Sequence, residues 1–284
     1  MIRINNVSKS FRKNVVLDGI DLDINRGDRI ALVGSNGAGK TTLIRCLLGE
    51  YVHDGDVLMD DLKPRLNREA VLKKIGFVPQ IPPPLKMPVG QLIHFAAGVC
   101  DSDPEKMYAV SDTLGLDASK FKNQPFVKLS GGQKQKMLIS IALGRDSEFL
   151  IMDEPAANLD PEARHNFFSL LAEKQKDTAM IISSHRLDEV AALVNRVVEL
   201  DQGKVVLNDH VADQIDMDSI LDCEVTLIRA EAAFAETVRE WGFEPSNDGI
   251  TWKGPVAGPD RLRFLGILSR YAGLLNGIKM EEQK

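Results

Sequence analysis

Residues Ile30 to Thr42 read IALVGSNGAGKTT: a short apolar run leads straight into a glycine-rich loop that ends on a lysine and two threonines. Gly34, Gly39, Lys40 and Thr41 occupy the defining places of the pattern G-x-x-x-x-G-K-[ST]. The apolar run reads as a buried strand, and Thr41 to Leu48, stopped by Gly49, as the helix after it. Strand, loop and helix in this order form an anion cradle. The glycines let backbone N–H groups face inward without a Cβ in the way, and the positive end of the helix points at whatever they hold. Gly34, Ser35, Asn36, Gly37, Ala38, Gly39, Lys40, Thr41 and Thr42 are therefore expected to hold the phosphates of a nucleoside triphosphate. Lys40 is expected on the β- and γ-phosphates, and the Thr41 hydroxyl on Mg²⁺.

Upstream, from Met1 to Val33, the pattern is strand and turn: IRINNV, then VVLDGIDLDI with alternating apolar residues, then a turn at Asn25-Arg26-Gly27-Asp28. Downstream, Ile75 to Val78 is the next clear strand. The text then turns helical and punctuated, with IPPPLKMP, a helix from Val89 to about Val99 and another from Pro104 to Leu114. Strand and helix alternation resumes with Glu148 to Met152 and Met180 to Ser183, which implies an α/β fold with a mostly parallel central sheet. The hairpin VVELDQGKVVLND closes this part near Asp209. Beyond about Ser219 the pattern starts afresh as a small β-α-β-α-β appendage, with strands at Cys223 to Ile228, Ile250 to Trp252 and Gly277 to Met280. Its helices are expected at Glu231 to Trp241 and Pro259 to Tyr271. The expected domains are residues 1–218, with a helical subdomain at about 80–145, and an α+β domain at 219–284.

Phe149-Leu150-Ile151-Met152-Asp153-Glu154-Pro155 is a buried strand ending in two acids. Alone, Asp-Glu-Pro also fits a plain strand end. With a phosphate loop upstream, it fits the carboxyl edge of an open α/β sheet, where ligand-binding groups gather. Asp153 is expected to hold Mg²⁺, mainly through water, and Glu154 to orient the attacking water and accept its proton.

Leu129-Ser130-Gly131-Gly132-Gln133 opens a helix running to about Leu143, so a hydroxyl and unpaired backbone N–H groups form a second anion site. This segment closely resembles the signature motif of ABC ATPases, and the resemblance covers residues 1 to about 215. It implies a P-loop NTPase core with an antiparallel β subdomain and a helical subdomain. It also implies that Ser130, Gly131, Gly132 and Gln133 meet ATP bound by an opposing subunit. Gln80, after IGFVPQ, matches the family's Q-loop and is expected to sense Mg²⁺. His185, after MIISS, matches the switch histidine and is expected on the γ-phosphate. Asn158-Leu159-Asp160 matches the D-loop, with Asp160 the residue that transfers. Phe11 stands where many members stack a tyrosine on adenine, keeping the π-face without the hydroxyl.

The bulk numbers leave few other classes. The chain has 284 residues, 44% hydrophobic and 27% charged, with a formal net charge of -6, so whole-chain charge argues against a nucleic-acid grip. No run approaches the roughly 20 apolar residues that span a bilayer, and the amino terminus lacks a signal-peptide pattern. Cys46, Cys100 and Cys223 are far apart and lack metal-ligand spacing. One phosphate loop and one signature mean that one chain does not complete a sandwich, so a homodimer with two MgATP is expected. The resemblance further implies a cytoplasmic subunit that reaches the membrane only through a separate permease, docked on Gln80, Pro82-Pro83-Pro84 and the helix after Pro88, with Leu85 and Met87 the positions to test. The appendage resembles the accessory domain of ATPases serving ABC-2-type exporters. A non-transport ABC ATPase, of iron-sulfur cluster assembly or cell division, is the alternative.

Overall fold

The computed structural model describes residues 1–174, 177–184, 187–210, 220–246, 248–257, 264, 267–268, 271 and 274–282. In chain order the elements are β1 (Ile2–Phe11), β2 (Asn14–Ile24), β3 (Arg29–Val33), α1 (Lys40–Leu47), β4 (Asp54–Met59), α2 (Arg68–Lys73), β5 (Ile75–Val78), α3 (Val89–Val99), α4 (Pro104–Thr113) and α5 (Gly131–Leu143). There follow β6 (Phe149–Asp153), α6 (Pro161–Ala172), β7 (Ala179–Ser183), α7 (Leu187–Val190), β8 (Arg196–Asp201) and β9 (Lys204–His210). The last set is β10 (Ile220–Leu227), α8 (Ala232–Arg239), β11 (Glu244–Pro245), β12 (Thr251–Ala257) and β13 (Leu275–Glu282). Two compact units result, one of residues 1–185 and 193–211, the other of 186–192 and 212–284.

In the first unit, the six-stranded sheet runs β5-β6-β7-β3-β8-β9. All its pairs are parallel except the hairpin β8–β9. β6 and β7 are buried along their whole length, as expected of parallel strands covered on both faces. A second sheet, β2-β1-β4, is antiparallel, and its alternating apolar residues Ile2, Ile4, Leu17 and Ile20 join Leu43, Phe149 and Val198 in one core. This core clamps α1 between the two sheets. Local signals set the helix starts. Asp103 and Asp160 accept backbone N–H bonds at the heads of α4 and α6, each followed by proline in the first turn. Ser130 and Gln133 form a reciprocal capping box on α5. Cys46 is buried in the core, which pushes its thiol up to about 11.

A buried ion pair ties the turn before β3 to the hairpin. Arg196 donates to Asp28 Oδ2 (2.8 Å), to the Asp23 carbonyl (2.7 Å) and to Asn208 (2.9 Å). Both charged side chains are nearly enclosed, at 6% and 11% exposed. Arg196→Met strands the Asp28 carboxylate and is expected to destabilise the chain by about 3–5 kcal/mol. A urea unfolding curve checks this; an unchanged midpoint would contradict it.

The second unit carries β10, α8, β12 and β13 in the expected succession and adds one strand. Its sheet is wholly antiparallel, in the order β11-β12-β10-β13. The two-residue β11 adds a fourth strand, and β12 runs to Ala257 rather than stopping at Trp252. Its core holds Cys223, Val225, Phe234, Val238, Trp252 and Phe264. Most of the expected helix Pro259 to Tyr271 lies outside the described residues. Among the described residues, no helix is long and apolar enough to cross a membrane.

Candidate active site

β3 delivers the chain into the loop of Gly34 to Gly39, where backbone geometry rather than side chains decides the shape. Gly34 has φ 142°, and a Cβ there would lie 2.2 Å from the Leu200 carbonyl oxygen. Gly39, at φ 111°, is pressed against the Val16 carbonyl and Leu17, so the turn into α1 also demands glycine. α1 has no side-chain cap, which leaves its first N–H groups facing the loop's concave side. Lys40 is buried, and its ammonium donates to the carbonyls of Gly34 (2.6 Å) and Ser35 (3.2 Å). Both partners are neutral, so its positive charge stays available to an anion.

Both carboxylates arrive at the end of β6, which β7 separates from β3. Asp153 ends β6 opposite Ser183 of β7. The Ser183 hydroxyl donates to Asp153 Oδ1 (2.6 Å) and accepts the Glu154 N–H (2.9 Å). Glu154 leaves the strand in the left-handed region, at φ 49°, a conformation that non-glycine residues hold only when their surroundings impose it. Glu154 and Asp153 line the same cavity. Gln80 lies two residues past β5, which pairs with β6 and so ends at the same edge.

A cavity of about 480 Å³ joins these groups. Its lining comprises Phe11, Asn14, Val16, Ser35 to Thr42, Gln80, Asp153 and Glu154. Gly34 sits at the root of the loop. N–H groups, an ammonium and two threonine hydroxyls suit a polyphosphate. The oxygens of Thr41, Gln80 and Asp153 suit Mg²⁺, which is held by one or two carboxylates with substrate phosphates rather than by a full protein cage. Phe11, 42% exposed, meets Tyr51 edge-on at 5.2 Å, with the Lys9 ammonium 4.8 Å from its ring centre. It offers an aromatic platform in the cavity lining.

The second set of expected residues does not line this cavity. Ser130 and Gly131 stand exposed at the head of α5, with Gly132 and Gln133 half-buried behind them. Asp160 caps α6 through the Ala163 N–H (2.9 Å) and pairs with Lys136 (2.8 Å), whose ammonium holds its carboxyl below the usual range. His185 lies outside the described residues. Asn14, Val16 and Ser183 are the residues that sequence reasoning did not single out. Ser183 was signalled only by a serine at the end of a buried strand, and nothing local marks the other two.

A family model described as ABC transporter matches residues 17–157. The energy-coupling factor transporter ATP-binding protein EcfA2 of Clostridium tetani is 29% identical over 254 residues, covering 85% of this chain and 88% of that protein. The glutamine transport ATP-binding protein GlnQ of Escherichia coli strain K12 is 30% identical over 218 residues, covering 72% of this chain and 89% of that one. Among solved structures, the dimeric ATP-binding cassette MJ0796, in a post-hydrolysis state bound to ADP and Pi, superposes with a TM-score of 0.65. It is 22% identical and covers 75% of this chain and 99% of the other.

Proposed function

Because the chain belongs to the ABC transporter family, as an ATP-binding and ATP-hydrolysing subunit, we propose that two copies close head to tail on two MgATP and drive a separate membrane permease. The observation that carries this reading is the cavity in which Lys40 and the loop N–H groups face Gln80, Asp153 and Glu154. Phe11 stacks on the base. Lys40 and the residues from Gly34 to Thr42 bind the phosphates. Thr41, Asp153 and Gln80 would hold Mg²⁺, which would supply charge neutralisation to the phosphates. Glu154 orients a water in line with the γ-phosphate and takes its proton, and His185 steadies that arrangement. Ser130, Gly131, Gly132, Gln133 and Asp160 lie outside the cavity, which suits residues that act on the second copy's nucleotide. Steady-state ATP hydrolysis by the purified chain, abolished in Glu154→Gln with ATP binding retained, tests the catalytic part.

The permease contact falls on the segment after Gln80. Ile81 is 74% exposed, and Met87 and, on the following helix, Phe95 and Val99 are exposed as well. Such an apolar group on a charged chain suits a partner surface. The location is then the cytoplasmic face of a membrane, and the small second unit supports an outward direction of transport through its likeness in element order to exporter ATPases. Leu85→Glu with Met87→Glu is expected to abolish co-purification with a multi-span membrane protein from detergent extracts, while ATP hydrolysis by the isolated chain is unchanged. Undiminished co-purification would contradict the docking site.

A further inference from the structure

Gln135 is completely buried on α5, yet only half of its amide is used. Its Nε2 donates to the Pro155 carbonyl at 2.9 Å, while Oε1 is enclosed without a partner among the described residues. A buried amide with an unsatisfied oxygen is unfavourable by itself, and an apolar residue of similar size would fill the space without that cost. The side-chain bond to the Pro155 carbonyl joins the helix of Ser130, Gly131 and Gly132 to the residue directly after Glu154.

Two further contacts follow the same line. Lys136, the next residue on α5, pairs with Asp160 at the far end of the 154–160 segment. Gly132 packs so closely on that segment that a Cβ would come within 3.2 Å of the Asn158 carbonyl. Glu154 itself is held in its left-handed conformation from both sides: Ser183 accepts its N–H, and Gln135 fixes the carbonyl of the proline that follows it. Proline already restricts its own φ, so anchoring its carbonyl leaves little freedom for the turn.

We propose that Gln135 is a positioning residue that locks the Glu154–Pro155 turn to the head of α5. This rests on the sandwich reading, in which Glu154 serves the nucleotide in its own loop and Ser130 to Gly132 serve the second copy's. A shift of the α5 head on meeting that second nucleotide then moves the Glu154 turn with it, so the two sites are aligned in one step. Gln135 touches no substrate.

The test uses the purified full chain with Gln135→Leu and Gln135→Glu. In Gln135→Leu, kcat is expected to fall on the order of 10-fold to 100-fold, with KM for ATP and dimer formation on AMP-PNP, followed by sedimentation, unchanged. A kcat within about twofold of wild type would overturn the proposal. If Gln135→Leu loses dimer formation and melts early, Gln135→Glu decides. Its carboxyl donates to the Pro155 carbonyl only when protonated, so its kcat relative to wild type should rise as pH falls; a flat ratio overturns the proposal. A wild-type chain without turnover or nucleotide-driven dimers would instead overturn the sandwich reading.

Discussion

Lys40→Ala will lower steady-state ATP hydrolysis by on the order of 100-fold to 1,000-fold, the size of loss seen when one preorganised donor is taken from a developing charge. The side chain is buried and its ammonium is already fixed by the Gly34 and Ser35 carbonyls, so no ordering is needed when phosphate arrives. Removing it takes away a charge-assisted donor to two carbonyls, of which Gly34 is half-buried and Ser35 exposed, so water replaces part of what is lost. The variant should therefore melt somewhat earlier while remaining folded by circular dichroism. Calorimetric titration should show weakened ATP binding as well. Lys40→Arg should not rescue, because a planar guanidinium does not fit where a compact ammonium bridges two carbonyls. Full activity in either variant would mean that phosphate is held elsewhere.

The second large effect separates binding from chemistry. Glu154→Gln keeps the size of the side chain and the bond from its backbone N–H to Ser183, but an amide does not take a proton from water. Turnover is expected to fall about 100-fold to 10,000-fold. ATP affinity should hold or rise, since one negative charge facing the phosphates is gone. Single-turnover hydrolysis together with equilibrium ATP titration measures the two quantities separately. Parallel losses in both would show that Glu154 shapes the site rather than acting in the reaction.

What could be read beforehand and what could not divide along a physical line. The Gly34 to Thr42 loop and Asp153 were legible because their chemistry depends on neighbours in the chain: a strand aims the loop, and a strand end presents the acid. Ser183 became meaningful only through the register that sets it opposite Asp153. Asn14 and Val16 reach the cavity because β1 and β2 fold back beside α1, a pairing that no local pattern announces. Gln135 looked like an ordinary polar helix residue; its burial is decided by what packs on α5. In the second unit, the strands expected at Cys223 to Ile228 and Ile250 to Trp252 find the places but not the bounds of Ile220–Leu227 and Thr251–Ala257. Their antiparallel order and the two-residue β11 were not legible, since so short a strand carries no period.

The central claim is that one chain carries half of each of two ATP sites. Sedimentation of the Glu154→Gln chain with MgATP, followed by assay of the nucleotide it carries, tests it most directly. A dimer with one ATP per copy, which falls apart when Ser130 is replaced by a bulky charged residue, is the predicted result. A monomer that binds ATP and stays monomeric at every concentration would contradict it.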